Sequence, residues 1–98
     1  MTQRKATINF SLTAENQFSD PILMDVGTRM DLSLRGTFVA SVSLQRSSDS
    51  GVSWQNVEVY TEALEVQSKV LARTNLFRIG IETGDYVSGT ATGKLERI

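Results

Sequence analysis

Apolar and polar residues alternate with a period of two along most of this chain, the spacing of strands that bury one face. Ile8, Phe10 and Leu12 alternate with Thr7, Asn9 and Ser11. Met30, Leu32 and Leu34 alternate with Asp31, Ser33 and Arg35, and Gly36 ends that run. Phe38, Ala40, Val42 and Leu44 alternate with Val39, Ser41, Ser43 and Gln45, which predicts one strand through this stretch. The run 54–60 returns along it, with Val57 and Val59 on one face and Trp54, Asn56, Glu58 and Tyr60 on the other. Phe77, Ile79 and Ile81 alternate with Arg78, Gly80 and Glu82, and residues 87–98 read as a Thr- and Gly-rich closing strand.

Between these runs lie turn-forming residues: Asp25-Val26-Gly27-Thr28, Ser47 through Ser53, and Thr83-Gly84-Asp85. Ile22, Leu23 and Met24 follow Pro21, which has no amide to donate, so this short strand is expected at a sheet edge. Residues 61–72 are ambiguous. Leu64, Gln67, Val70 and Leu71 lie near helical spacing, yet the same stretch also divides into strand fragments around a polar bend. The strands on either side favour β. Seven to eight short strands with turns every 8–12 residues predict an all-β protein, a single antiparallel β-sandwich or jelly-roll-like domain over residues 6–98. The polar residues Met1, Thr2, Gln3, Arg4 and Lys5 form an expected flexible N-terminal arm.

The loop between the two central runs carries the densest local signal. Ser47, Asp49, Gly51, Ser53 and Trp54 form a set in which short oxygen-bearing side chains bond nearby backbone amides. Gly51 accommodates positive φ, and Trp54 brings a large ring to bury as the return strand begins. This predicts a hairpin. The pattern Ser-x-Asp-x-Gly-x-Ser-Trp resembles the Asp-box, a hairpin motif repeated in sialidases and other propellers. There it is a structural turn without a catalytic group. A propeller needs several blades, and this chain holds one copy.

Composition narrows the chemistry. The 98 residues contain no His and no Cys and carry a net charge of −1. Ser-His-Asp triads, cysteine nucleophiles, disulfides and His- or Cys-bound zinc are therefore excluded. The charges are scattered, so no basic block predicts a nucleic-acid partner. No segment has the apolar length of a membrane-spanning helix, and no secretory leader is legible. Carboxylate pairs such as Glu58 with Glu62, or Glu82 with Asp85, read as solvated faces and turns. The expectation is no enzyme, no catalytic residue, no cofactor, no metal and no small-molecule substrate.

Three segments carry a second resemblance. They are Val42-Ser43-Leu44-Gln45-Arg46-Ser47, the Asp49–Trp54 turn, and Phe77-Arg78-Ile79-Gly80-Ile81 followed by Gly84-Asp85-Tyr86-Val87-Ser88-Gly89-Thr90. Together they resemble the small all-β virion structural proteins of tailed bacteriophages, several of which are head cement or decoration proteins. The resemblance covers roughly residues 38–95. It implies a multi-copy or homo-oligomeric protein of the virion, made in the host cytoplasm, that binds the major capsid protein and stabilises the shell. A tail or neck protein is the nearest alternative. A carbohydrate-binding β-sandwich module, stacking sugar on Trp54, Tyr60 or Tyr86, is the alternative of another class. The contact surfaces expected for a shell protein are the arm (Met1, Thr2, Gln3, Arg4, Lys5) and the closing stretch Ser88, Gly89, Thr90, Ala91, Thr92, Gly93 and Lys94.

Overall fold

The computed structural model describes residues 6–24, 29–69 and 75–97. The expected arm, the expected turn at 25–28 and the end of the ambiguous stretch after Lys69 lie outside the described residues. The described chain is all-β. Eleven strands form three antiparallel sheets, where the alternation predicted seven to eight strands in one unit. In chain order they are β1 (Ala6–Leu12), β2 (Gln17–Phe18), β3 (Ile22–Met24), β4 (Arg29–Arg35), β5 (Phe38–Ala40) and β6 (Val42–Ser47). There follow β7 (Gln55–Tyr60), β8 (Leu64–Lys69), β9 (Asn75–Ile81), β10 (Tyr86–Gly89) and β11 (Ala91–Arg97). Leu64–Lys69 is strand, the reading that the flanking strands favoured.

One sheet has the order β1-β11-β4-β8. Its register sets Leu32 beside Leu95 and Val66, and Ile8 on the other side of Leu95. Phe10, Leu12, Met30, Leu32, Leu34, Ala91 and Leu95 all bury. A second sheet has the order β2-β9-β6-β7, and β3 also pairs with β9, at the edge that Pro21 predicted. It contributes Ile22, Met24, Val42, Leu44, Phe77, Ile79 and Ile81 to the same apolar cluster. Both sheets therefore bury their period-two faces in one core, the main favourable term for a chain of this size.

The extra strands come from two breaks. The predicted run from Phe38 splits at Ser41 into β5 and β6, and the closing run splits at Thr90 into β10 and β11. β5 and β10 pair with each other as a two-stranded ribbon, while β6 and β11 belong to the two larger sheets. Each break is pinned by a backbone bond from far along the chain. Ser41 donates its amide to the Asp85 carbonyl at 2.8 Å, and Thr90 donates to the Thr37 carbonyl at 2.9 Å. Gly89 sits against this crossing with φ of 87°, where a Cβ would lie 2.2 Å from the Thr37 oxygen.

Candidate functional site

The 47–54 loop ties itself together with short-range bonds. Ser47 Oγ accepts the Gly51 amide at 2.8 Å and donates to Asp49 Oδ1 at 2.7 Å. Asp49 Oδ1 also accepts the Ser53 amide at 2.9 Å, and Oδ2 accepts the Ser53 hydroxyl at 2.5 Å. These bonds, led by the Ser53 hydroxyl, lower the Asp49 pKa to about 2 even though the carboxylate lies at the surface. Ser50 and Gly51 both take positive φ, 63° and 91°, so the turn uses one more left-handed residue than the glycine alone implied. All three oxygen-bearing members of the set, Ser47, Asp49 and Ser53, spend their polar atoms on the loop itself.

Trp54 is half-buried rather than sunk in the core, and its partner is a cation. The Arg78 guanidinium carbon lies 4.2 Å from the centroid of the Trp54 ring and 3.9 Å from that of Phe18. The guanidinium is thus sandwiched between two aromatic faces. Arg78 Nε donates to Gln45 Oε1 at 2.8 Å, and Gln45 Nε2 donates to Asn56 Oδ1 at 3.0 Å. The strand register explains this meeting. Gln45 is the direct neighbour of Arg78 on β9 and of Asn56 on β7, so all three project from the face opposite the core. Burial in the aromatic stack lowers the Arg78 pKa, and the nearby Glu82 charge works against that shift.

Phe18 reaches this face because residue 80 is glycine. A Cβ there would lie 2.1 Å from Phe18 Cδ1 and 2.4 Å from the Gln17 carbonyl oxygen. The Phe18, Arg78 and Trp54 side chains lie over an outer face that the alternation assigned to solvent, and Ser43, Gln45 and Ser47 are all buried. Phe18, Gln45, Asn56 and Arg78 as a group were absent from the sequence-based site residues. Their only signals were a lone Phe in the polar stretch 14–20 and an Arg two residues from a Gly on one face of a clean strand.

The sheet edges form a second feature. Among the described residues β7 pairs only with β6, and β8 only with β4. A shift of register between Leu44 and Gln45 leaves Val57 unpaired, so Asn56 lies on the face opposite Glu58 and Tyr60, where the alternation put all three on one face. Tyr60 turns inward against the core, while Val57 and Val59 are 43% and 50% exposed. Burial raises the Tyr60 pKa, with the Glu58 charge adding to it. Met30, Leu32, Leu44, Val57, Tyr60 and Val66 line a cavity of about 320 Å³ between the two edges.

The expected contact stretch divides. Ser88 and Gly89 lie on β10, and Ser88 is exposed. Ala91, Thr92, Gly93 and Lys94 lie on β11, which is bonded to β1 on one side and β4 on the other. No backbone edge is open there for another chain, and Gly93 serves an internal approach in which a Cβ would lie 1.8 Å from the Ser33 oxygen. Met1, Thr2, Gln3, Arg4 and Lys5 fall outside the described residues. Tyr86 donates its hydroxyl to the Gly89 carbonyl at 3.0 Å. Among the described residues no group of three His, Cys, Asp or Glu side chains is placed to hold a metal ion, and no helix is long and apolar enough to cross a membrane. No family model, curated protein or solved structure matches this chain.

Proposed function

We propose that this chain is a non-enzymatic structural protein of a tailed-bacteriophage virion, a head decoration or cement protein that binds the major capsid protein. In this reading the two larger sheets are the layers of one β-sandwich, the β5–β10 ribbon lies at one end, and many copies sit on a shell. The observation that carries the proposal is the open edge of β7. Its first five residues are exposed, its outward Val59 is half exposed, and among the described residues an unpaired row of backbone groups runs along it. Such an edge takes an added strand from a neighbour, with backbone bonds giving affinity and the side chains giving register. A small protein bound across joints between capsid subunits favours the closed shell by mass action. The phage-like segments 42–47, 49–54 and 77–90 support the same reading.

Sugar stacking finds less support. One face of the Trp54 ring is occupied by Arg78, and the Tyr86 hydroxyl is bonded within its own strand. The test is shell stability under heat or low salt, with and without the protein. Stripped shells that survive equally well overturn the cement role, and particles that carry the protein only at the tail assign it to the tail or neck instead.

A further inference from the structure

A second recognition element lies on the face opposite the core, and it does not depend on the virion reading. Arg78 has five N–H donors in a planar fork. One of them, on Nε, is bonded to Gln45, which is itself held by Asn56. Among the described residues Nη1 and Nη2 have no hydrogen-bond acceptor and no ion-pair partner; Glu82 acts on the guanidinium only through its charge. The two aromatic faces fix the guanidinium plane, and the Gln45 bond fixes its rotation within that plane. On this half-buried side chain the open end of the fork is thereby held with little rotamer freedom left to lose.

We propose that Arg78 is a preorganised receptor for one carboxylate, gripped end-on through Nη1 and Nη2. With Nε already committed, end-on is the two-bond geometry left. A carboxylate fits the site better than a phosphate for two reasons. The rings of Phe18 and Trp54 lie against the guanidinium, so an anion must approach in the plane of the fork, which suits a flat group. The local charge is one cation with an acidic side chain nearby, enough for a monoanion and poorly matched to a dianion. On a macromolecule the matching group is an Asp, Glu or C-terminal carboxylate of a partner protein.

The experiment is a titration of the intact protein with sodium acetate, sodium phosphate and sodium chloride at matched ionic strength. Side-chain 15N–1H resonances of Arg78 and the Trp54 indole are followed by NMR. The expected result is a saturable shift of both with acetate, at least about tenfold weaker response to phosphate, and only a linear drift with chloride. Arg78→Lys keeps the charge but removes the fork, and it should weaken acetate binding by about tenfold or more, the scale of a lost charged hydrogen bond. Glu82→Gln leaves the stack intact and should tighten acetate binding. Equal responses to acetate and chloride, or a stronger response to phosphate, overturn the assignment. So does an Arg78→Lys protein with unchanged main-chain spectra that binds acetate as well as the parent.

Discussion

Replacing Gly80 with Ala adds a single methyl group at the most crowded point of the outer face. That methyl would sit 2.1 Å from a carbon of the Phe18 ring and 2.4 Å from the Gln17 carbonyl oxygen. The ring has room to swing away, but the carbonyl belongs to the backbone of β2, so the whole short strand must lift off β9. Lifting it breaks the bonds that flank the pairing, Asn16 amide to Ile81 carbonyl and Ser19 amide to Ile79 carbonyl, both 2.7 Å. Two backbone bonds at about 0.5–1.5 kcal/mol each cost about 1–3 kcal/mol. Uncovering a half-buried Phe18 adds about 1 kcal/mol, roughly half the value for a fully buried side chain. The stiffer unfolded chain of the alanine variant returns about 0.4–1 kcal/mol. The net loss is about 1–3.5 kcal/mol, against a total near 5–15 kcal/mol for a domain of this length. The variant should therefore fold, with Tm lowered by roughly 5–25 °C. Thermal melts followed by circular dichroism, with urea titrations alongside, measure both quantities. A double-mutant cycle adds specificity, because Phe18→Ala removes the ring overlap and should make the combined loss smaller than the sum. A Gly80→Ala protein that melts within about 2 °C of the parent would refute the crowding argument.

Other outcomes follow from the same geometry. Asp49→Asn should lower Tm at neutral pH, and the gap to the parent should close on acidification. The Asp49 pKa is held at about 2 against an ordinary 3.8, so its contribution is complete above roughly pH 4 and fades as pH falls toward 2. Gly93→Ala, whose Cβ would strike the Ser33 carbonyl at 1.8 Å, should split β11 from β4 and leave little folded protein by circular dichroism. Leu95→Ala, at a fully buried position of the same strand, should cost about 2–5 kcal/mol in urea denaturation. Val59→Lys on the exposed edge of β7 should leave Tm nearly unchanged and reduce binding to shells in a co-sedimentation assay, and unchanged binding would count against edge pairing.

The strands themselves were legible in the sequence, and the cover on a second face was not. β1 and β4 alternate because water lies on one side of the pleat and the core on the other. β6 shows the same alternation, yet its outward Ser43, Gln45 and Ser47 are buried. Their covers are Phe18 and Arg78, dozens of residues away, and Trp54 with the 47–53 loop. No local period encodes such a lid. The break at Ser41 was hidden for a related reason, since it is set by a carbonyl from a distant loop, whereas the break at Thr90 had a local mark in Gly89, at φ of 87°, that the alternation did not turn into a break. The 47–53 loop was readable because all its bonds close within a few residues. The Arg78 stack needed the register of β9 against β6, which exists only in three dimensions.

The place of β11 between β1 and β4 has a consequence for how the chain reaches this state. Among the described residues β1 has no other strand partner, and its pairing joins Ala6 to Arg97 across nearly the whole described length. During synthesis β1 therefore has no strand to pair with, among the described residues, until β11 has left the ribosome. Closing so long a loop carries a large entropic cost before any contact rewards it, which places this sheet among the slow, cooperative folders. A nascent chain lacking β11 should be a substrate for chaperones and proteases rather than a partly working protein. Completion of the last described strand, rather than growth of the first, commits the molecule to its fold.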